Sequence, residues 1–275
     1  MMISLVFGAF GLIVGSFLNV VILRHGVRSL GGRSGCMSCG AQLQWYDMVP
    51  VFSWLALGGK CRACRAHISP QYPLVEAVTA ILFALIGATS LLLLQKILGC
   101  VILALLVAIT VYDIRHTVIP DAWAYTFAAL AFLSSLFTLT PSLVNILAGP
   151  IAAAPLFALW LFSRGRWMGL GDAKLALGIG WLLGPALGLF AIFSAFVIGA
   201  LISVCVLLPL PHILRALYTL GITSSDMLSG GFTMKSEIPF GPFLIFSCII
   251  IWFASLYGID PLQAFELLLL SNYLQ

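Results

Sequence analysis

Eight apolar stretches, separated by short polar ones, constrain this chain more than any single motif in it. They run Met2–Leu23, Pro73–Leu94, Leu98–Asp113, Ala122–Leu139, Leu143–Ser163, Ala173–Leu183, Ala186–Leu210 and Pro239–Tyr257. A helix rises 1.5 Å per residue, so about 20 such residues cross the hydrocarbon core of a bilayer. Only 8% of the 275 residues are charged, against about 25% in a soluble domain. The expectation is an all-α polytopic membrane protein with about eight transmembrane helices.

The first stretch is too long for the apolar part of a signal peptide and has no positive charge before it, so it reads as a retained helix. Gly15-Ser16-Phe17-Leu18-Asn19 places small and polar residues in mid-span, which suits close helix packing. Residues 24–72 are the one extended polar segment near the start. The sixth stretch, Ala173–Leu183, is too short to cross alone and ends at Gly184-Pro185. Such helices are tolerated where they line a wet cavity or are covered by protein. The expected domains are residues 1–23 as the first transmembrane helix, 24–72 as a cytosolic cysteine-bearing insertion, 73–258 as a seven-helix membrane core and 259–275 as a tail. Within that tail, Phe265–Leu270 is too short to cross and is expected at the interface.

Charge orients the spans. With eight crossings, Arg24, Arg28, Arg33, Lys60, Arg62, Arg65, Arg115, Arg164, Arg166, Lys174, Arg215 and Lys235 fall on one side and Lys96 alone on the other. Positive loops stay in the cytoplasm, which puts both chain ends outside. There is no dense basic face with interleaved aromatics, so no nucleic-acid partner is expected.

Against that background the acids stand out, because a carboxylate inside or bordering a span is costly and marks a functional site by default. Asp113 closes the third stretch in Val111-Tyr112-Asp113-Ile114-Arg115. Asp172 opens the sixth in Gly169-Leu170-Gly171-Asp172-Ala173-Lys174. They are separated by 58 residues and two full spans, so both lie at the cytoplasmic membrane edge. Two carboxylates held close cannot both carry charge cheaply, and such a pair shares a proton. The ionised member can then take a proton from water while the protonated one polarises a carbonyl. Gly178 and Gly180 in the short sixth span are expected to leave room for that water. Taken singly, Asp172 reads as a helix cap and Asp113 as a snorkelling acid; on one face and in these contexts, the paired reading is preferred. Asp121, after Pro120 and before an apolar run, reads as a structural helix-start residue.

Cys36, Cys39, Cys61 and Cys64 form C-x₂-C-x₂₁-C-x₂-C. Paired thiolates at that spacing suit a tetrahedral Zn²⁺ site, and a cytosolic setting disfavours disulfides. The segment is also about the size at which a domain needs a staple. His67 is a spare donor that four thiolates make unnecessary. Cys100, Cys205 and Cys248 sit in apolar runs, where they read as small buried hydrophobes. Pro239-Phe240-Gly241-Pro242-Phe243 suits a helix start. Glu76 is either a first-turn acid complementing a helix dipole or a supporting polar residue.

These residues together resemble the type IV prepilin peptidases, the leader peptidases of type IV pilus and type II secretion systems. The resemblance rests on Gly15–Ile22, the two cysteine pairs, Ile68-Ser69-Pro70-Gln71-Tyr72-Pro73 with Glu76, Asp113 with Ile119-Pro120-Asp121, Gly169–Lys174 and Pro239–Phe243. They occur in the family's order over nearly the whole chain. The resemblance implies a catalytic pair in Asp113 and Asp172 and a bacterial inner-membrane enzyme that cuts prepilins or pseudopilins at the cytoplasmic face. It further implies N-methylation of the new terminus with S-adenosylmethionine. The segment around Pro50, Ser53 and Gly59 is implicated in that second activity, with Gly59 as its cofactor-binding residue. One departure bears on methyl transfer rather than on proteolysis. The family's Arg-Gly-Arg or Arg-Gly-Lys before the second cysteine pair reads Gly58-Gly59-Lys60 here.

Two rival readings are weaker. Presenilin-like enzymes share the Tyr-Asp and Gly-Leu-Gly-Asp pieces but carry Pro-Ala-Leu near their last span, where this chain has that triplet only at Pro185-Ala186-Leu187. A non-enzymatic, proton-coupled carrier with a zinc-ribbon docking module would spread polar residues through several spans, and these spans are poor in them.

Overall fold

The computed structural model describes residues 2–27, 29, 31–138, 142–207 and 239–263. Its helices are α1 (Met2–Arg24), α2 (Phe52–Ala56), α3 (Gln71–Ala88), α4 (Leu93–His116), α5 (Asp121–Thr138), α6 (Leu143–Ile146), α7 (Ala148–Ser163), α8 (Leu170–Leu183), α9 (Pro185–Ile202) and α10 (Gly241–Leu256). A 3-10 turn covers Trp45–Met48 and a π turn, Ser203–Leu207, follows α9. No strand occurs among the described residues, only the isolated bridges Gly35–Gln42 and Lys60–His67. The all-helical expectation therefore holds.

Each expected apolar stretch coincides with a helix, with shifted limits. Four segments are long and apolar enough to cross a bilayer: Met2–Arg24, Gln71–Ala88, Leu93–His116 and Pro185–Cys205. Asp121–Phe137, Ala148–Ser163 and Gly241–Leu256 are apolar but shorter, and α8 has 14 residues. The expected Leu143–Ser163 span is interrupted at Leu147, leaving the single turn α6 ahead of α7. The expected Pro73–Leu94 span stops at Thr89, whose hydroxyl donates to the Ile86 carbonyl. Leu139, 208–210, Arg28, Arg215, Lys235 and Phe265–Leu270 lie outside the described residues.

The chain packs as two units, Met1–Tyr112 and Asp113–Gln275. In the first, α1 lies along α3 on a seam of small residues. A Cβ on Gly11 would stand 2.7 Å from Ala80 Cα, and one on Gly15 2.7 Å from Glu76 Cα. Gly87 of α3 returns the contact, its Cβ position 3.0 Å from Ser4 Cα. Without a hydrophobic drive between helices in lipid, such close approach supplies the dispersion contacts that hold them together. Asn19, buried in this seam, donates to the carbonyls of Gly15 and Tyr72.

In the second unit α8 is the buried element. The ring of Phe127 from α5 fills the place of a Gly178 side chain, and the Ala148 carbonyl and Ala152 methyl of α7 fill that of Gly180. These glycines were expected to admit water. The structure corrects this: the space their missing side chains leave is taken by neighbouring helices. α8 ends at Gly184, whose φ of +82° is a turn that glycine adopts freely, and Pro185 starts α9. Cys100 and Cys248 are buried as expected, whereas Cys205, in the π turn, is exposed.

Gly15→Val should therefore lower stability by about 1–3 kcal/mol through overpacking. The check is the thermal unfolding midpoint in detergent, with Gly31→Val, which meets open space, as the neutral control.

Candidate active site

Asp113 sits in the last turn of α4 and is 4% exposed. The helix closes just past it: the Thr117 amide donates to the Asp113 carbonyl at 2.7 Å, and Thr117 adopts φ +54°. A β-branched residue there is a genuine backbone outlier, of the kind stored at functional sites. The chain then passes through buried Ile119 to Pro120, whose carbonyl accepts from the Trp123 and Ala124 amides as α5 begins.

Asp172, 9% exposed, is the third residue of α8. The helix is capped by Gly169 in extended conformation, and the Asp172 carboxyl turns back toward that residue, Oδ2 lying 3.7 Å from where a Gly169 Cβ would stand. Acids in a first turn face the positive end of the helix dipole. Asp172 is thus in the first turn of α8 and not at its cap, the position its capping reading gave it, which Gly169 takes. The two carboxyls are close enough for the charge of Asp113 to act on Asp172.

Gly241, the first residue of α10, completes the site. Its backbone amide faces the Asp113 carboxyl, and a Cβ on it would collide with Asp113 Oδ2. That oxygen is buried without a hydrogen-bond partner among the described residues. Ile119 is the wedge between the pieces: its Cδ1 would lie 3.2 Å from a Cβ on Gly241, and its Cβ 3.1 Å from one on Gly171. Each acid therefore meets a glycine-lined helix N-terminus, α10 for Asp113 and α8 for Asp172. Sequence reasoning preferred a helix start for Pro239–Phe243, and it took that piece and Ile119-Pro120-Asp121 as part of the family resemblance without assigning Gly241 or Ile119 a place beside the acids. The signal for Gly241 was its place beside a proline at the mouth of the last apolar run.

Asp121 stands apart from the pair. It lies in the first turn of α5, where its Oδ1 accepts from Lys174 Nζ at 2.6 Å. Lys174 also lies 5.2 Å over the ring of Tyr125. Asp121 and Tyr125 are four residues apart on one helix face and cradle the ammonium together. Lys174 follows Asp172 by two residues and so points to the other side of α8.

The cysteines form a second site, within the first unit. The Sγ atoms of Cys36, Cys39, Cys61 and Cys64 all lie within 4.8 Å of one another, with Cys36 and Cys64 at 3.8 Å. A tetrahedron with metal–sulfur bonds of about 2.3 Å has edges of about 3.8 Å, so the donor set fits a thiolate-bound cation. Two matching turns present it. Cys36 N donates to Ala41 O and Gly40 N to Cys36 O; Cys61 N donates to Ala66 O and Arg65 N to Cys61 O. The Cys39 and then the Ser38 backbone amides hold the Cys36 thiol down to about 6. The Ala66 amide pulls Cys64 the same way, but the surrounding thiols of Cys39, Cys61 and Cys36 push it up to about 11. Complete ionisation of such a cluster calls for a cation. His67 is not among the four donors gathered there; its backbone pairs with that of Lys60 in an isolated bridge.

Glu76 is the sixth residue of α3, past its first turn, and is buried. It accepts a 2.7 Å hydrogen bond from the Val51 amide, so the supporting reading applies rather than the first-turn one. Gly59 has φ +67°, and a Cβ there would stand 2.8 Å from Trp54 Cζ2.

Residues 9–90 match the bacterial peptidase A24 N-terminal domain and residues 100–204 the type IV leader peptidase family. The prepilin leader peptidase/N-methyltransferase of Dichelobacter nodosus is 30% identical over 292 aligned residues, covering 94% of this chain and 93% of that protein. The protein of the same name from Bacillus subtilis (strain 168) is 30% identical over 94% of this chain and 95% of its own length. That of Pectobacterium carotovorum is 33% identical over 70% of this chain and 80% of its own. No solved structure matches the chain significantly.

The Lys174–Asp121 pair should contribute about 0.5–1 kcal/mol, because the Asp121 end is largely solvated. A double-mutant cycle of Asp121→Asn and Lys174→Gln, read by denaturation in detergent, gives that coupling directly.

Proposed function

The chain belongs to the type IV leader peptidase family, and from that premise we propose that it is an aspartic endopeptidase of the bacterial inner membrane. Its substrates are prepilins or pseudopilins, cut at the cytoplasmic face. The observation that supports this most is the pair of buried acids, Asp113 and Asp172, each set against a glycine-lined helix N-terminus.

The chemistry follows from one proton shared by two carboxyls. The ionised acid takes a proton from a water molecule as the water oxygen attacks the scissile carbonyl. The protonated acid donates to the carbonyl oxygen as it gains charge. Collapse of the tetrahedral species breaks the C–N bond, and the departing nitrogen leaves with a proton from the pair. Each carboxyl therefore acts as acid in one half of the reaction and base in the other. The Gly241 amide, facing Asp113, and the first turn of α8 around Asp172 offset part of the cost of holding negative charge there.

The site's position also restricts the substrate. With eight crossings and the basic loops inside, both acids lie at the cytoplasmic edge. The bond must then join a basic leader to an apolar helix that stays in the membrane. Helical peptide bonds are shielded, so the residue before the cut must be small and unwound. Family resemblance makes it Gly, with Phe or Met after it.

Two further assignments belong to this reading. Cys36, Cys39, Cys61 and Cys64 hold one structural zinc, and a closed four-thiolate shell leaves no open position for catalysis. The relatives' name includes N-methyltransferase, and S-adenosylmethionine would supply an electrophilic methyl group to the freed amine. Gly59 is the residue that the family resemblance assigns to that cofactor, and at φ +67° its backbone turns tightly against the Trp54 ring. Gly58 leaves that loop without the family's cation.

Asp113→Asn and Asp172→Asn should each abolish cleavage of a prepilin by the purified protein, since the pair acts as a unit, while Asp121→Asn retains most of it. Normal turnover by a folded Asp113→Asn variant would refute the assignment. N-terminal sequencing and mass of the product should show a cut at the cytoplasmic end of the apolar helix and one added methyl group. Elemental analysis should find one zinc per chain, lost when the four cysteines become serine, and a folded metal-free segment would overturn that site.

A further inference from the structure

The insertion between α1 and α3 exposes an apolar surface that neither its metal site nor the acid pair accounts for. Trp45 is 75%, Phe52 66% and Leu55 62% exposed, with Met48 and Tyr46 beside them. They belong to two consecutive short helical elements, the 3-10 turn Trp45–Met48 and α2, rather than to a scatter of single side chains. Several large apolar side chains left exposed on two adjoining elements signal a binding surface.

Where the patch sits relative to the spanning helices identifies its occupant. The Val51 amide, between the 3-10 turn and α2, donates to Glu76 at 2.7 Å. Glu76 is the sixth residue of α3, so its Cα lies about 7.5 Å along the helix from the first. Helix side chains lean toward the N-terminus, which brings Val51 level with the opening turn of α3. That helix has 18 residues, about 27 Å, slightly less than the hydrocarbon core of about 30 Å, so its opening turn must stand at the membrane boundary. A second tie, from Trp54 Nε1 to the Ile68 carbonyl at 3.1 Å, holds α2 against the segment that leads into α3. The φ of +61° at Val51, unfavourable for a β-branched residue, shows how tightly this turn is held. Leu74 and Val78 carry an exposed apolar face down α3 from the same level.

Charge favours the same surface. Arg33, Lys60, Arg62 and Arg65 are exposed on the insertion. Asp47 is the one acid between residues 25 and 70, and it is paired with Arg62 at 2.9 Å. Arg62 also lies 5.0 Å over the Tyr46 ring, so cation and aromatic stand side by side as in an interfacial element.

We propose that residues 45–55 form a monotopic membrane-contact element, with Trp45, Met48, Phe52 and Leu55 immersed in the acyl boundary of an anionic leaflet and the neighbouring cations on its headgroups. Interfacial helices sink about 5–10 Å on the same balance of buried apolar area and anionic attraction. The element fixes the height of the insertion above the bilayer, whether or not the chain is a peptidase.

The test uses the full-length protein in lipid nanodiscs, which leave both faces accessible. The fluorescence of Trp45 is isolated as the difference between the parent and Trp45→Phe, a substitution that should leave the unfolding midpoint unchanged. In phosphatidylglycerol-rich discs that difference signal should lose most of its intensity to lipids brominated near the headgroup end of the acyl chain, and little to aqueous acrylamide. The bromolipid effect should weaken in discs of phosphatidylcholine alone. Free quenching by acrylamide with none by bromolipid would overturn the proposal. So would protection that appears only when an apolar prepilin segment is added, which would make the occupant a protein. Equal bromolipid quenching in both lipids would remove the anionic requirement and overturn the proposal as stated.

Discussion

The second unit is organised around keeping two carboxyls out of water and next to each other. Burying one unpaired carboxylate costs several kcal/mol even after relaxation, and a second like charge nearby adds to it. No cation among the described residues pairs with either acid: Lys174 is turned to Asp121 and Tyr125. What faces the carboxyls is backbone, at the start of α10 for Asp113 and of α8 for Asp172. Helix N-termini are suited to this, since their first amides lack partners and carry the positive end of the dipole. A full positive charge there would favour ionisation of both acids, a state that the proposed mechanism could not use.

Backbone can approach a carboxyl this closely only where there is no side chain. Gly241 provides that for Asp113 and Gly169 lies against the Asp172 carboxyl, while Gly171 makes room for Ile119. The same device recurs deeper in α8, where Gly178 and Gly180 seat Phe127 and the backbone of α7. Interlocking contacts along α8 hold its first turn in place from below. A helix of 14 residues lacks the length to anchor itself in lipid by crossing it, so its packed flanks take over that role. The Lys174–Asp121 clasp adds a polar stop at the end nearest the acids.

The first unit solves a different problem. Residues 25–70 have little regular structure and too few buried apolar side chains to stand alone. Four thiols gathered within one coordination sphere, two bridges and the Glu76–Val51 tie replace a hydrophobic core. The tie runs from an acidic residue inside a spanning helix to a strained turn outside it. It therefore joins the insertion to the α1–α3 seam, which is itself held by glycines pressed against Ala80 and Glu76.

Much of this was legible in one dimension. Apolar runs long enough to cross a membrane, acids at their ends and cysteines in two close pairs are local patterns whose meaning follows from the solvation of single residues. They placed the helices, selected Asp113 and Asp172, and identified the tetracysteine cluster without any knowledge of contacts. The limits of Leu143–Ser163, the exposure of Cys205 and the use of Gly178 and Gly180 were read wrongly or too simply. Gly241 against Asp113, Val51 on Glu76 and Lys174 on Asp121 were not read at all. Each joins residues 25 to 128 positions apart, and each depends on which atoms meet when helices pack. Hydrophobic period and the cost of an isolated charge belong to a residue and its neighbours in sequence. Close approach of backbone to carboxyl belongs to the packed helices, and only the tertiary structure could decide it.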